Sequence, residues 1–262
     1  MSELLVEQNG HVKTLTLNAP ERMNTISPEM LDALAQALVD ANRDPEVRAI
    51  VITGSGRAFC AGLDLTQASS GSGIGSDSSR MPPNLDLRDA PPTVLHALDT
   101  PTICALNGGA AGYGMDLALG CDIRVASENS KLAAAFTKRG VLPESGGTWI
   151  LPRLVGWAKA SEIIFTGRTL SAEDCLELGL VNKVVPAELL QKETQALAEE
   201  IADNAPHAVQ ASKRMMRMGL SESFDEHVHH VYLQLLPLFA SKDFREGMSA
   251  FLEKRKPKFE GR

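Results

Sequence analysis

Two glycine-bordered bends and two carboxylates are the parts of this sequence whose types and spacing could do chemistry. The first bend, Arg57-Ala58-Phe59-Cys60-Ala61-Gly62-Leu63-Asp64-Leu65, follows a run that reads as a buried strand. Small residues around a glycine let a ligand approach the backbone closely, and the amides of such a turn can point at an anion. The second bend, Asn107-Gly108-Gly109-Ala110-Ala111-Gly112-Tyr113-Gly114-Met115-Asp116, sits where a strand meets the start of a helix. Free N–H groups and the positive end of the helix dipole lie at such a junction. Facing one another, the two bends would form an oxyanion hole for an enolate, where one donor is worth about 3 to 4 kcal/mol of transition-state stabilisation. Taken singly, each also reads as a tight strand-to-helix connection. The carboxylates are Asp116, at the end of the second bend, and Glu144, in Leu142-Pro143-Glu144-Ser145-Gly146-Gly147. The plain reading of either is an acid in a helix's first turn, stabilised by the dipole.

The elements that must position these groups alternate along the chain. Leu4 to Gln8 and Val12 to Leu17 flank Asn9-Gly10, a hairpin signal. Ser27-Pro28-Glu29 reads as an N-cap and first-turn proline opening a helix to about Asp40. Strands are expected at Ala49 to Thr53, Thr102 to Leu106, Ile123 to Ala126, Leu132 to Phe136 and Val181 to Val185. Helical patterns cover Met115 to Leu119, Trp149 to Leu154, Ala158 to Phe165, a capped start at Ser171, and most of the chain after Pro186. Such an order predicts α/β layers followed by a helical region. Thr66 to Pro92, rich in Ser, Gly and Pro, breaks the rhythm and reads as a flap over the first bend.

Composition excludes several classes. A net charge of -7 over 262 residues, with both signs interspersed, gives no electrostatic case for nucleic acid or an anionic membrane. The N-terminus lacks the basic start and apolar run of a signal peptide, and no stretch reaches the roughly 18 apolar residues of a span. The four cysteines form no CxxC pair; three sit among apolar or small residues, as buried free thiols do, which fits a reducing cytoplasm. There is no G-x-G-x-x-G, Walker A, H-E-x-x-H or G-x-S-x-G motif. His227, His229 and His230 read as a polar helix face rather than metal ligands.

Five segments, in order, resemble the enoyl-CoA hydratase/isomerase (crotonase) family: RAFCAGLDL, PTICALNGGAAGYGMDLALGCDIRVAS, GVLPESGGTWILPRLVG, TGRTLSAEDCLELGLVNKVV and REGMSAFLEKRKPKF. The likeness runs from about Thr14 to Phe259. It implies a crotonase-like α/β spiral of ββα units over residues 1–200 and a C-terminal helical trimerisation region over 201–262. Such chains often assemble as homotrimers or dimers of trimers. The resemblance further implies an acyl-CoA substrate, of which coenzyme A is a part, and no metal or redox cofactor.

Carried over by position, the oxyanion donors would be the amides of Leu63 and Tyr113. The family often has glycine where Tyr113 stands, but an amide needs no particular side chain, and the ring reads either as shaping the acyl pocket or as packing on the flap. Arg22 and the backbone of Ala61, Gly62, Leu63, Asp64 and Leu65 match positions that contact pantetheine and adenine. Phe251 and Lys254 match residues that reach a neighbouring subunit's CoA, although Lys254 also reads as a solvated charge.

The acids decide the chemistry. Family hydratases carry two glutamates: the first matches Asp116, one methylene shorter, and the second matches Phe136, which can carry no proton. Glu144 stands where typical hydratases have glycine and resembles the base of 3-enoyl-CoA to 2-enoyl-CoA isomerases. The expectation is an isomerase with Glu144 as proton shuttle and Asp116 as second acid or positioning group. The rivals are a hydratase using Asp116 and Glu144, a hydrolase or carbon-carbon bond-cleaving relative, and a non-catalytic acyl-CoA binding protein.

Overall fold

Residues 2–63 and 91–261 are described by the structure, a computed structural model. Asp64, Leu65 and nearly all of the expected flap lie outside the described residues; Pro91 and Pro92 open a short helix, α2 (Pro91–Ala97).

Two strands, β1 (Leu4–Asn9) and β2 (Val12–Leu17), pair antiparallel around Asn9-Gly10, with Gly10 at φ 56° supplying the left-handed turn. From β2 the main sheet continues in parallel through β3 (Ala49–Gly54), β5 (Thr102–Leu106), β7 (Ile123–Ser127) and β10 (Lys183–Val185). A second sheet holds β4 (Ala58–Cys60), β6 (Gly109–Ala111), β8 (Lys131–Ala133) and β9 (Thr169–Ser171). The chain steps from main sheet to second sheet after a few residues each time: β3 to β4, β5 to β6, β7 to β8. That repetition is the expected spiral of ββα units.

Strand β3 is buried along its whole length because both faces are covered, as parallel sheets require. Ile50 and Ile52 pack toward α1 (Pro28–Arg43), which buries Met30, Leu34, Leu38 and Ala41 at helical spacing. Ala49 and Val51 face the opposite way, onto Leu190, Ala198 and Ala202 of α6 (Leu190–Ala202). The Ser27 hydroxyl caps α1 by accepting from the Met30 amide at 3.1 Å.

Further along, α3 (Tyr113–Gly120) follows β6, α4 (Gly147–Thr166) precedes β9, and α5 (Ala172–Glu177) starts at a Ser171–Asp174 capping box. The tail is α7 (Pro206–Met218), α8 (Phe224–Ala240) and α9 (Lys242–Glu253). On α8, His227 and His230 each place Nδ1 2.9 Å from a Glu222 carboxylate oxygen. All four cysteines are free and buried.

Two expectations need correction. Leu132 to Phe136 is strand only to Ala133, because the chain turns toward a short helical turn at Thr137–Arg139. Val181 and Asn182 precede β10 instead of joining it: Val181 donates to Cys175 O at 3.2 Å, closing the end of α5. The two helices expected within 149–165 are present, separated inside α4 by a break at Gly156, where φ is 77°.

Three contacts hold the first bend. Asn24 is fully buried; it accepts from the Ala19 amide at 2.8 Å and donates to the Ser55 and Ala58 carbonyls at 2.9 and 2.8 Å. The Ala61 amide donates to Met23 O at 3.0 Å and the Ile26 amide to Gly62 O at 2.9 Å. The second bend is held by the Gly112 amide, which donates to Ala133 O at 3.0 Å. At Gly114 the two bends pack too closely for a side chain: a Cβ there would lie 2.0 Å from Cys60 O. Gly114→Ala is therefore expected to destabilise the protein by about 3 kcal/mol, seen as a lower urea midpoint at unchanged m.

Candidate active site

Between the bends lies the site. A Cβ built on Gly62 would sit 3.0 Å from Ala111 O and 3.9 Å from the Tyr113 amide nitrogen, so the two backbones face each other at close range. Gly62 has φ 105°, a conformation that a residue with a side chain rarely adopts, and it turns Leu63 toward the second bend. Tyr113 is the first residue of α3, where an amide has no carbonyl of its own helix to bond.

Leu63, Tyr113 and Glu144 line two cavities. The larger, about 500 Å³, continues past Leu31, Pro92, His96, Trp149 and Ile150. The smaller, about 70 Å³, is closed by Ala61, Gly62, Gly112 and Phe136. Glu144 is the one carboxylate among the described residues lining either. Its partial burial raises its pKa above the ordinary carboxylate value, opposed by its own amide.

Asp116 lines neither cavity. Only 2% exposed, it lies behind Glu144, and its Oδ2 accepts from the Gly147 amide at 3.3 Å. Gly146, the residue at the mouth of α4, supplies no side-chain cap, so Asp116 reaches from α3 to do so. Gly147 must be glycine, because a Cβ would meet Asp116 Oδ1 at 2.2 Å. Burial, and next the nearby Glu144 charge, push the Asp116 pKa up to about 7, against the pull of the Gly147 and Ser145 amides.

Phe136 is buried, with its ring edge 3.9 Å from where a Gly112 Cβ would stand. The Tyr113 side chain is 5% exposed, and its hydroxyl has no hydrogen-bond partner among the described residues. Burial, with Cys60, Glu144 and Asp116 nearby, holds that hydroxyl in its neutral form.

The remaining sequence candidates lie elsewhere. Arg22 is paired with Glu3, 2.6 Å away, and donates to Thr25 O. Phe251 and Lys254 are exposed on and just after α9 and line neither cavity. His96 and Trp149 were not singled out by the sequence reading. Their signal was faint: a histidine on a seven-residue helix, and an aromatic just after the Gly146-Gly147 pair.

The sequence matches the model of the enoyl-CoA hydratase/isomerase family over residues 7–262. This chain belongs to that family. It is 40% identical to 1,2-epoxyphenylacetyl-CoA isomerase of Escherichia coli, with all of both chains covered. It is 35% identical to a probable enoyl-CoA hydratase of Mycobacterium tuberculosis, covering 98% of this chain and 97% of that one. Among solved structures, enoyl-CoA hydratase from Bacillus anthracis superposes with a TM-score of 0.90 at 34% identity, over 99% of this chain and 100% of that chain. The fold is the crotonase fold, and the family's enzymes act on acyl-CoA thioesters.

The buried Asp116 makes stability depend on pH. Its folded-state pKa, about 7, lies above the ordinary value of 3.8, so folding favours the protonated form. The penalty for ionising it is absent below about pH 4, grows up to about pH 7 and is then constant. Asp116→Asn should therefore gain stability over the parent through that window, by about 2 to 4 kcal/mol at its upper end. Urea unfolding at pH 4.5 and 7.5 checks this; an unchanged difference between the two would show that Asp116 is not buried as an acid.

Proposed function

We propose that this family member is an enoyl-CoA isomerase that moves a double bond from the 3,4 to the 2,3 position of an acyl-CoA thioester. What carries the reading is that Glu144 alone among the described acids lines the two cavities that Leu63 and Tyr113 also line, while Phe136 lines the smaller one. In the first step Glu144 takes a proton from carbon 2. The electron pair of that C–H bond passes into a dienolate, whose oxygen accepts hydrogen bonds from both amides. In the second step the protonated Glu144 returns its proton to carbon 4, the 2,3 double bond forms and the thioester carbonyl is restored. A base whose pKa is raised toward the working pH suits both steps. The 1,2-epoxyphenylacetyl-CoA isomerase of Escherichia coli bears an isomerase name, which is consistent with this assignment.

Asp116 acts as a positioning group, holding the turn that carries Glu144. Hydration is the second reading, favoured by the nearness of Asp116 to Glu144 and by the hydratase names of other relatives. It requires two carboxylates sharing a water, and Asp116 is buried under the start of α4. For the CoA moiety, Ala61, Gly62 and Leu63 offer backbone to pantetheine and Arg22 a guanidinium, and no metal or redox cofactor takes part. Phe251 and Lys254 would serve a neighbouring subunit in a homotrimer or dimer of trimers, joined through the region 201–262 that follows the 1–200 core. The exposed Phe224, Val228, Tyr232 and Leu236 on α8 give that region an apolar face. None of the described helices is long and apolar enough to cross a membrane, and we assign the protein to the cytoplasm.

The test follows bond migration and hydration separately. Purified protein should convert 3-hexenoyl-CoA to the 2-enoyl ester and exchange deuterium at carbon 2, with the rate rising as pH ionises Glu144. Glu144→Gln should lower this rate by about 10³-fold. Efficient hydration of crotonyl-CoA, abolished by either Asp116→Asn or Glu144→Gln, would replace the isomerase reading by the hydratase one. Thioester binding without any exchange would leave a binding protein.

A further inference from the structure

The amide of Tyr113 faces the oxyanion, but the role of its side chain is still open. The residue is 5% exposed, and its hydroxyl is sealed from water with no hydrogen-bond partner among the described residues. Such a group gives up the hydrogen bonds that water offered the unfolded chain, so it weakens the fold until a partner arrives. A phenylalanine would keep the ring's packing and remove that deficit. Three hydroxyl-bearing side chains line the larger cavity, those of Thr93, Tyr113 and Ser145, and only the Tyr113 hydroxyl is left in this state.

Cys60, Glu144 and Asp116 lie near enough for their charge to act on the phenol. Cys60 is fully buried; burial pushes its thiol up to about 12, and its Sγ lies 4.0 Å from Gly62 O. A neutral thiol is a weak acceptor. Asp116 is committed to the Gly147 amide under the start of α4. Glu144 differs from both. It lines each cavity that Tyr113 lines, it is only partly buried, and the pull on its carboxylate comes from its own amide. The other charged or titratable side chains on these cavities are His96 and Arg139; both are exposed, and Arg139 donates to Ala135 O at 3.1 Å. An acyl group filling the larger cavity displaces the water beside Glu144, and a carboxylate that loses water needs a donor in its place.

We propose that the Tyr113 phenol is a positioning residue for Glu144, its hydroxyl donating to the carboxylate once an acyl group occupies the larger cavity. The phenol keeps its own proton throughout and serves as a donor, not as a relay. One residue then acts twice, by its amide on the oxyanion and by its side chain on the base. The proposal rests on the reading of Glu144 as that base.

Tyr113→Phe keeps the amide and the ring and removes only the oxygen. Its urea midpoint should equal or exceed the parent's, since the hydroxyl has no partner to lose before substrate binds. With 3-hexenoyl-CoA, kcat for deuterium exchange at carbon 2 should fall about tenfold while KM stays within about twofold. The acid limb of the kcat profile should move up by about half a pH unit or more, because a carboxylate deprived of a donor holds its proton more tightly. In a Glu144→Gln background the same substitution should change the remaining rate by less than about twofold.

An equal loss in both backgrounds would mark the hydroxyl as a packing feature and overturn the proposal. So would an unmoved acid limb, a rise in KM in place of the fall in kcat, or a lowered urea midpoint, which would reveal another partner for the hydroxyl. A parent protein that exchanges deuterium normally, beside a Tyr113→Phe variant indistinguishable from it, would sink the proposal and leave the base in place. A folded parent that exchanges none would sink the reading of Glu144 as base, and the proposal with it.

Discussion

A carboxylate from one helix closing the N-terminus of another is the constraint on which this site depends. Asp116 leaves α3 and accepts from the Gly147 amide at the start of α4. That contact fixes the turn 144–146, hence where Glu144 stands. It also determines two neighbours: Gly146 provides no cap of its own, and Gly147 leaves no space for a side chain. The positive end of the helical run from Gly147 to the break at Gly156 faces the pair, but the burial of Asp116 and the partial burial of Glu144 raise both pKa values. The balance leaves Asp116 at about 7, partly because Glu144 is charged. When Glu144 takes a proton, that repulsion disappears and Asp116 ionises more readily. Two carboxylates that repel in this way lose their protons over a wider range of pH than either would alone.

The bends on the other side of the cavity are set by hydrogen bonds to backbone and by close packing, without any large side chain. Asn24 ties the chain before α1 to the turn between β3 and β4, and Ile26 and Ala61 complete the link. Gly114 brings the start of α3 against Cys60. At its other end α3 is held by Arg124, a buried cation that donates to Leu119 O at 3.3 Å and to Leu180 O at 2.6 Å. A cation there complements the helix dipole, as the amides at the opposite end complement an oxyanion. One short helix thus contributes the Tyr113 amide, the Asp116 carboxylate and a rigid connection between them.

Long, periodic elements were legible in the sequence because their periodicity is a direct consequence of burial. The apolar run of β3 and the spacing of Met30, Leu34 and Leu38 each name the face they bury. Strands β4, β6 and β9 were not legible: three residues carry no alternation, and these strands exist because the turn before each leaves the chain beside the second sheet. The bends and Glu144 could be read from glycine placement and family likeness. That Asp116 caps another helix could not, since the contact spans thirty-one residues and no local pattern encodes it. His96 and Trp149 were missed for the same reason; each becomes a cavity wall only through packing of α2 against the start of α4.

Two amides aimed at one oxygen serve any reaction that passes through a thioester enolate, so the hole by itself selects no product. Selection comes from what stands around it. A water adding across a double bond needs polar partners, and the cavity of about 70 Å³ beside Phe136 has glycine, alanine and valine walls with Arg139 and Glu144 as its charged groups. A cavity of that size can hold water only where two or more polar groups receive it. Among the described residues Glu144 is the one side-chain acid lining it, and in the proposed reaction it is the group that would carry the proton. An acid that moves a proton between two carbons works best where no competing water accepts it. Under the proposed isomerisation the Phe136 ring therefore acts in the same direction as the acid at position 144: the ring offers the proton no second acceptor, and Glu144 would carry it from one carbon to the other.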